Sequence, residues 1–188
     1  MNIFKQDKSN IKGELTFAVK DRFGRTKKLW KENLLGRLIR KIFGIDLQGI
    51  FLLGRWTDRL SFQNLVVSAG KAGMASRCNG AGGEAAFTYL AVGTGTTAPA
   101  AGDTALQTEI IDSGLARASA TVSRVTTSVT NDTAQLDTTW NVTGTKAVTE
   151  AGAFNAASAG TLLGRQTFSA VNVANGDTLE VIYKFQMS

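Results

Sequence analysis

Few side chains in this sequence are of the kinds that do covalent or proton-transfer chemistry, and their spacing suits it poorly. The 188 residues include no histidine and a single cysteine, Cys78. That removes the commonest general base, the commonest metal ligand and the usual partner of a serine or cysteine nucleophile. Carboxylate pairs remain as an acid–base option. Glu84, Asp103, Glu109, Asp112, Asp132, Asp137, Glu150 and Asp177 mostly stand singly beside Gly, Thr or Asn, where turns and caps place acids. Gly93-Thr94-Gly95-Thr96-Thr97 follows an apolar run but lacks the third glycine, the Gly-Lys-Ser/Thr ending and the immediate helix of a phosphate loop, so it reads as a structural turn. Asp46, Asp58, Asp103 and Asp177 do not have the dense oxygen spacing of a calcium loop. The reading is non-enzymatic, with no catalytic residue, no cofactor and no metal site assigned.

The elements that would position such groups are organised around Tyr89 to Glu109. Tyr89 and Ala91 alternate as in a buried strand, which ends at Gly93. The only proline, Pro99, marks a loop, and Asp103 or Thr104 is placed to cap one helical turn. Around this stretch, strands are expected over 11–20, 115–129, 134–142, 149–154, 161–168 and 178–186, separated by turn signals at roughly ten-residue spacing. That pattern predicts a mainly β fold, an antiparallel β-sandwich with one or two short helices. One helix is expected to open at 64–70 and end at Asn79-Gly80; Cys78, near its end, is expected to be a small buried residue.

The other helix is basic. Trp30, Leu34, Leu35, Leu38, Ile39 and Ile42 recur at three- and four-residue spacing, with Lys31, Glu32, Arg37, Arg40 and Lys41 between them. Asn33 is the expected N-cap and Gly44 the stop. This helix either covers the β domain or docks on another subunit, on DNA or on lipid. Residues 1–80 hold 16 Lys or Arg against 6 acids, and residues 81–188 hold 5 against 9, so the net +6 conceals a basic first part and a mildly acidic remainder. Such a split suits a head-to-tail contact between neighbouring copies. Met1 to Asn10 is polar and reads as no signal peptide, and the interrupted cluster Ile42 to Leu53 is too short to span a bilayer. The division expected is a basic strand-plus-helix extension over 1–53 and a β domain over 54–188. The candidate interface residues are Trp30, Leu34, Leu38 and Ile42, with Arg37, Arg40 and Lys41 beside them.

Four segments taken together carry a resemblance: NLVVSAGKAGMA at 64–75, YLAVGTGTTAPAAGDTALQTEI at 89–110, TEAGAFNAASAGTLLGRQTF at 149–168 and GDTLEVIYKF at 176–185. In this order they resemble structural proteins of tailed-bacteriophage virions, over roughly residues 54–188. The resemblance implies a small β-sandwich module of a tail, baseplate or fibre. It would be made in the host cytoplasm, built into the virion as a symmetric homo-oligomer and partnered by other copies and other virion proteins, without a membrane. Capsid decoration is an alternative within that class. A receptor- or glycan-binding module and a DNA-contacting subunit using Arg37, Arg40 and Lys41 are alternatives outside it.

Overall fold

A computed structural model describes residues 11–43 and 49–188, apart from the side chains of Arg40, Lys41, Phe43 and Phe51. The expected helix stop at Gly44, Asp46 and the polar segment 1–10 lie outside the described residues. In chain order the elements are β1 (Ile11–Lys20), β2 (Leu29–Glu32), α1 (Leu34–Phe43), a 3-10 turn (Phe51–Leu53), β3 (Gly54–Thr57), β4 (Leu60–Val66) and α2 (Ser68–Asn79). They continue with β5 (Tyr89–Gly93), β6 (Ala118–Ser119), β7 (Thr121–Val125), β8 (Thr133–Asn141), β9 (Lys146–Phe154), β10 (Leu162–Val173) and β11 (Thr178–Met187).

Alternation builds the wall. Leu15, Phe17 and Val19 of β1 and Leu179, Val181, Tyr183 and Phe185 of β11 are buried, while the residues between them on β11 are half-exposed. β1 and β11 pair antiparallel over their full length, from Ile11 opposite Met187 to Lys20 opposite Thr178. The main sheet runs in the order β6-β5-β9-β10-β4-β1-β11-β8-β7, and β2 and β3 pair separately.

The two ends of that sheet are one stretch of chain. β6 lies on β5 and β7 lies on β8, and only Ala120 separates them; its N–H donates to the Thr88 carbonyl at 2.7 Å. The expected long strand over 115–129 is therefore split, because its two halves take partners at opposite edges. The fold is mainly β and antiparallel, but the sheet is nearly closed and barrel-like rather than divided into two layers. One apolar cluster fills it, including Leu15, Phe17, Leu90, Val92, Trp140, Phe168, Tyr183 and Phe185.

β1 sits between β4 and β11, so the wall does not divide at residue 53. Residues 11–20 are part of it, and the segment added to it comprises β2, α1, the 3-10 turn and β3. Several local expectations change. Asn64 to Val66 continue β4, and α2 opens only at Ser68, since pairing of Val66 with Gly164 of β10 keeps the chain extended. Phe51–Leu53 is a 3-10 turn that leads into β3. No helical turn forms after Pro99. Cys78 is exposed, in the last turn of α2.

Candidate assembly surface

Among the described residues, twelve large apolar side chains are exposed, and seven of them lie between Leu34 and Trp56. Leu34, Leu38 and Ile42 are 84%, 52% and 62% exposed and stand at i, i+4 and i+8, one stripe of α1. Leu35, Ile50, Leu52 and Trp56 are exposed on the same segment.

The rotation of α1 is set by its other side. Gly36, about 200° round the axis from Leu34, is buried against the Leu53 carbonyl, where a Cβ has no room. Asn33 locks that contact: its N–H donates to Leu53 O at 2.9 Å, its Nδ2 to Leu52 O at 2.8 Å, and its Oδ1 accepts the Gly36 N–H at 2.9 Å. Asn33 is thus the expected cap and also a tie to the 3-10 turn. A helix held by a glycine on one side turns its leucines outward. The expected alternative, that this stripe packs on the β domain, does not hold for Leu34, Leu38 and Ile42.

Trp30 does not belong to the stripe. It lies in β2 opposite Trp56, is 4% exposed, and meets that ring edge-on at 5.3 Å between centroids. Its place in the candidate surface falls to Trp56, which is 54% exposed. Arg37 is exposed beside the stripe, and the side chains of Arg40 and Lys41 lie outside the described residues. Residues 27–59 carry eight Lys or Arg against three acids. Ion pairs fasten the segment to one end of the barrel, Lys27 Nζ to Asp177 Oδ2 at 2.8 Å and Arg59 Nη2 to Glu180 Oε2 at 3.0 Å.

A second group of charges is buried, and sequence reading missed it. Glu150 of β9 has no exposed surface, and Arg165 of β10 is 2% exposed. Glu150 Oε2 accepts Arg165 Nη2 at 2.7 Å and Nε at 2.8 Å. The same carboxylate accepts the N–H groups of Gly95 (3.0 Å), Gln107 (3.0 Å) and Thr108 (2.7 Å). Arg165 goes on to Asp103 Oδ2 at 2.9 Å and the Thr97 carbonyl at 3.2 Å. Burial of Asp103 acts to raise its pKa, but the Ala100 N–H and Arg165 outweigh it and hold the carboxyl below its ordinary value. These bonds clasp the loop 94–108 over a second apolar cluster of Val67, Ala91, Leu106, Phe154 and Leu162. A carboxylate with five donors and no opening to solvent is positioned to hold a loop rather than to move protons. A neighbouring clasp uses Arg117, bidentate to Glu109 at 2.7 and 3.0 Å and 3.6 Å over the Phe154 ring.

Two surface cavities stand out among the described residues. One, of about 400 Å³, is lined by polar groups of β1, β4 and β11 including Lys12, Glu14, Gln63 and Lys184. The other, of about 350 Å³, is an apolar groove at the Met187 end of the barrel, formed by Met74, Phe87, Leu136, Leu163, Phe185 and Met187, with Cys78 on its rim. Neither includes Glu150 or Arg165. Among the described residues no three His, Cys, Asp or Glu side chains are grouped so as to hold a metal ion. No family model matches the chain, and neither curated proteins nor solved structures provide a match.

Proposed function

We propose that this chain is a non-enzymatic structural subunit of a tailed-phage particle, anchored through the α1 segment. The observation that carries the assembly part of this reading is the outward stripe Leu34, Leu38 and Ile42, held there by Gly36 and Asn33. Burying one such side chain is worth about 1.5–3 kcal/mol. A chain that turns several to solvent on a small, firmly tied segment gains that energy only when another surface covers them. The virion part rests on the four segments that resemble tailed-phage structural proteins, and one of them, 89–110, contains the loop clasped by Glu150. A tail, baseplate or fibre position is preferred to capsid decoration because a protruding anchoring segment suits attachment to a ring.

The test is direct. Antibody raised against the purified chain should label tailed particles released from the cells that make it, and peptides of the chain should sediment with those particles through a density gradient. The Leu38→Asp variant should be lost from the particles while remaining folded. Particles devoid of the chain would overturn the reading.

A further inference from the structure

The polar cavity lies on the outer face of β4, β1 and β11, beside the turn between β7 and β8. Strand alternation sends Leu15 and Phe17 into the core and leaves Lys12 and Glu14 exposed. Register then sets the neighbours: Glu14 stands between Lys184 of β11 and Gln63 of β4, and Lys12 stands opposite Gln186. Lys12 and Lys184 are therefore diagonal neighbours, with roughly 7–8 Å between their positions, a span that one small anion bridges. The turn supplies a wall. Asp132 accepts the N–H groups of Thr127, Ser128 and Val129, and Gln186 Nε2 donates to Ser128 Oγ at 2.8 Å and to Asp132 Oδ2 at 3.0 Å, so the wall is fixed before any ligand arrives. The space, about 400 Å³, falls within the range of roughly 300–1,000 Å³ of small-molecule sites.

We infer that this cavity binds a sugar acid, a single carboxylate on a hydroxylated ring. The groups that the fold leaves unused decide the class. Among the described residues neither the Lys12 nor the Lys184 ammonium has a partner, and the Gln63 amide makes no bond. Glu14 Oε1 accepts the Ser61 hydroxyl at 2.5 Å, which leaves Oε2, and Gln186 keeps its Oε1. Two ammonium groups thus stand ready for a carboxylate, and amide donors lie beside amide and carboxylate acceptors, as ring hydroxyls, each donor and acceptor, require. Charge closes the count: Lys12, Lys184 and Glu14 are the only charged side chains of the lining, so a ligand with one negative charge leaves the occupied site neutral. Other classes fit worse. An apolar ligand strips water from two ammonium groups and a carboxylate without replacing their hydrogen bonds. A neutral sugar leaves the excess cation uncompensated, and a phosphate dianion stands against Glu14. The inference goes beyond the subunit reading and does not rest on it, since no lining residue belongs to the segment 27–59 that carries α1.

Titration of the full chain, followed through its backbone amide chemical shifts, tests the site. The probes are glucuronate, galacturonate and N-acetylneuraminate, with glucose and acetate as the two halves of the ligand. At least one sugar acid should saturate with a Kd below about 10 mM, and glucose and acetate should each bind at least about tenfold more weakly. The shifted amides should fall in 12–14, 61–63, 127–133 and 184–186. Lys12→Gln and Lys184→Gln should each weaken binding about tenfold or more, the loss of one charged hydrogen bond. Lys20→Gln, at the far end of β1, should leave it unchanged, and circular dichroism checks that all three variants fold. Failure of all three sugar acids to bind overturns the inference. So does binding of acetate or glucose as tight as theirs, or binding that survives loss of both Lys12 and Lys184. None of these results bears on whether the chain is found in particles, so the two readings fail separately.

Discussion

Glu150 and Arg165 face one another from adjacent strands, with Oε2 2.7 Å from Nη2 and 2.8 Å from Nε, and both are sealed from solvent. The pair is the point at which β9, β10 and the loop 94–108 are joined, because the same carboxylate accepts three amides of that loop. Its value lies in the complete set of partners: a buried ion pair roughly balances its own desolvation, but breaking one strands a charge in the interior.

Glu150→Ala should therefore lower unfolding stability by about 3–5 kcal/mol, leaving Arg165 without its main partner and three loop amides without an acceptor. Urea denaturation measures it. Glu150→Gln should cost less, since its carbonyl oxygen still accepts from the loop.

Gly93 and Gly95 lie so close to Glu150 that an added Cβ would collide with its carboxylate. Gly95→Ala should destabilise by about 1–3 kcal/mol, the range for overpacking. Gly102→Ala in the same loop meets nothing within 4 Å and should leave the denaturation midpoint unchanged.

Leu38→Asp and Leu136→Asp should behave in opposite ways. Leu38 is 52% exposed and its loss should shift stability by no more than about 0.5 kcal/mol, as for an ordinary surface change. Leu136 is 3% exposed in the core, and an unpaired carboxylate there should abolish the cooperative thermal transition.

Acid should loosen the β7–β8 turn. Burial acts to raise the Asp132 pKa, but the N–H groups of Val129, Thr127 and Ser128 and the Gln186 amide outweigh it, so the folded carboxyl titrates well below its ordinary range. A depressed folded pKa means that its stabilisation is complete above the unfolded value of about 3.9 and is lost as pH falls toward the folded value. Asp137 has the opposite sign: burial and neighbouring Glu180 raise its pKa against the pull of Arg59. Asp137→Asn should stabilise the protein at neutral pH, with the gain fading as acid protonates the wild-type carboxyl. Thermal melts of both Asp→Asn variants between pH 2.5 and 7 check the two signs.

Much of the local structure was legible. The alternation of 11–20 and 178–186 identified two strands, Gly93 marked the end of β5, and Asn33 marked the start of α1. Glu150 was not legible as a buried charge. Beside Thr149 and Ala151-Gly152 it looks like a turn acid, and the groups that hold it come from 15 and from 42 to 55 residues away. Cys78 looked apolar enough to bury, but it stands in the last turn of α2 and is exposed.

By itself the sequence determined what repeats: which residues share a strand face, which share a helix stripe, where the chain turns, and that no histidine is available. Those are consequences of local geometry, in which a period of two or of 3.6 sets side-chain direction along one element. Only the tertiary structure decided where each face points. The leucine stripe of α1 faces solvent because Gly36 fits against Leu53 and Asn33 ties that side down, and the barrel nearly closes because the chain around Ala120 changes partners from β5 to β8. Both are contacts between residues distant in sequence, and no periodicity along the chain encodes them.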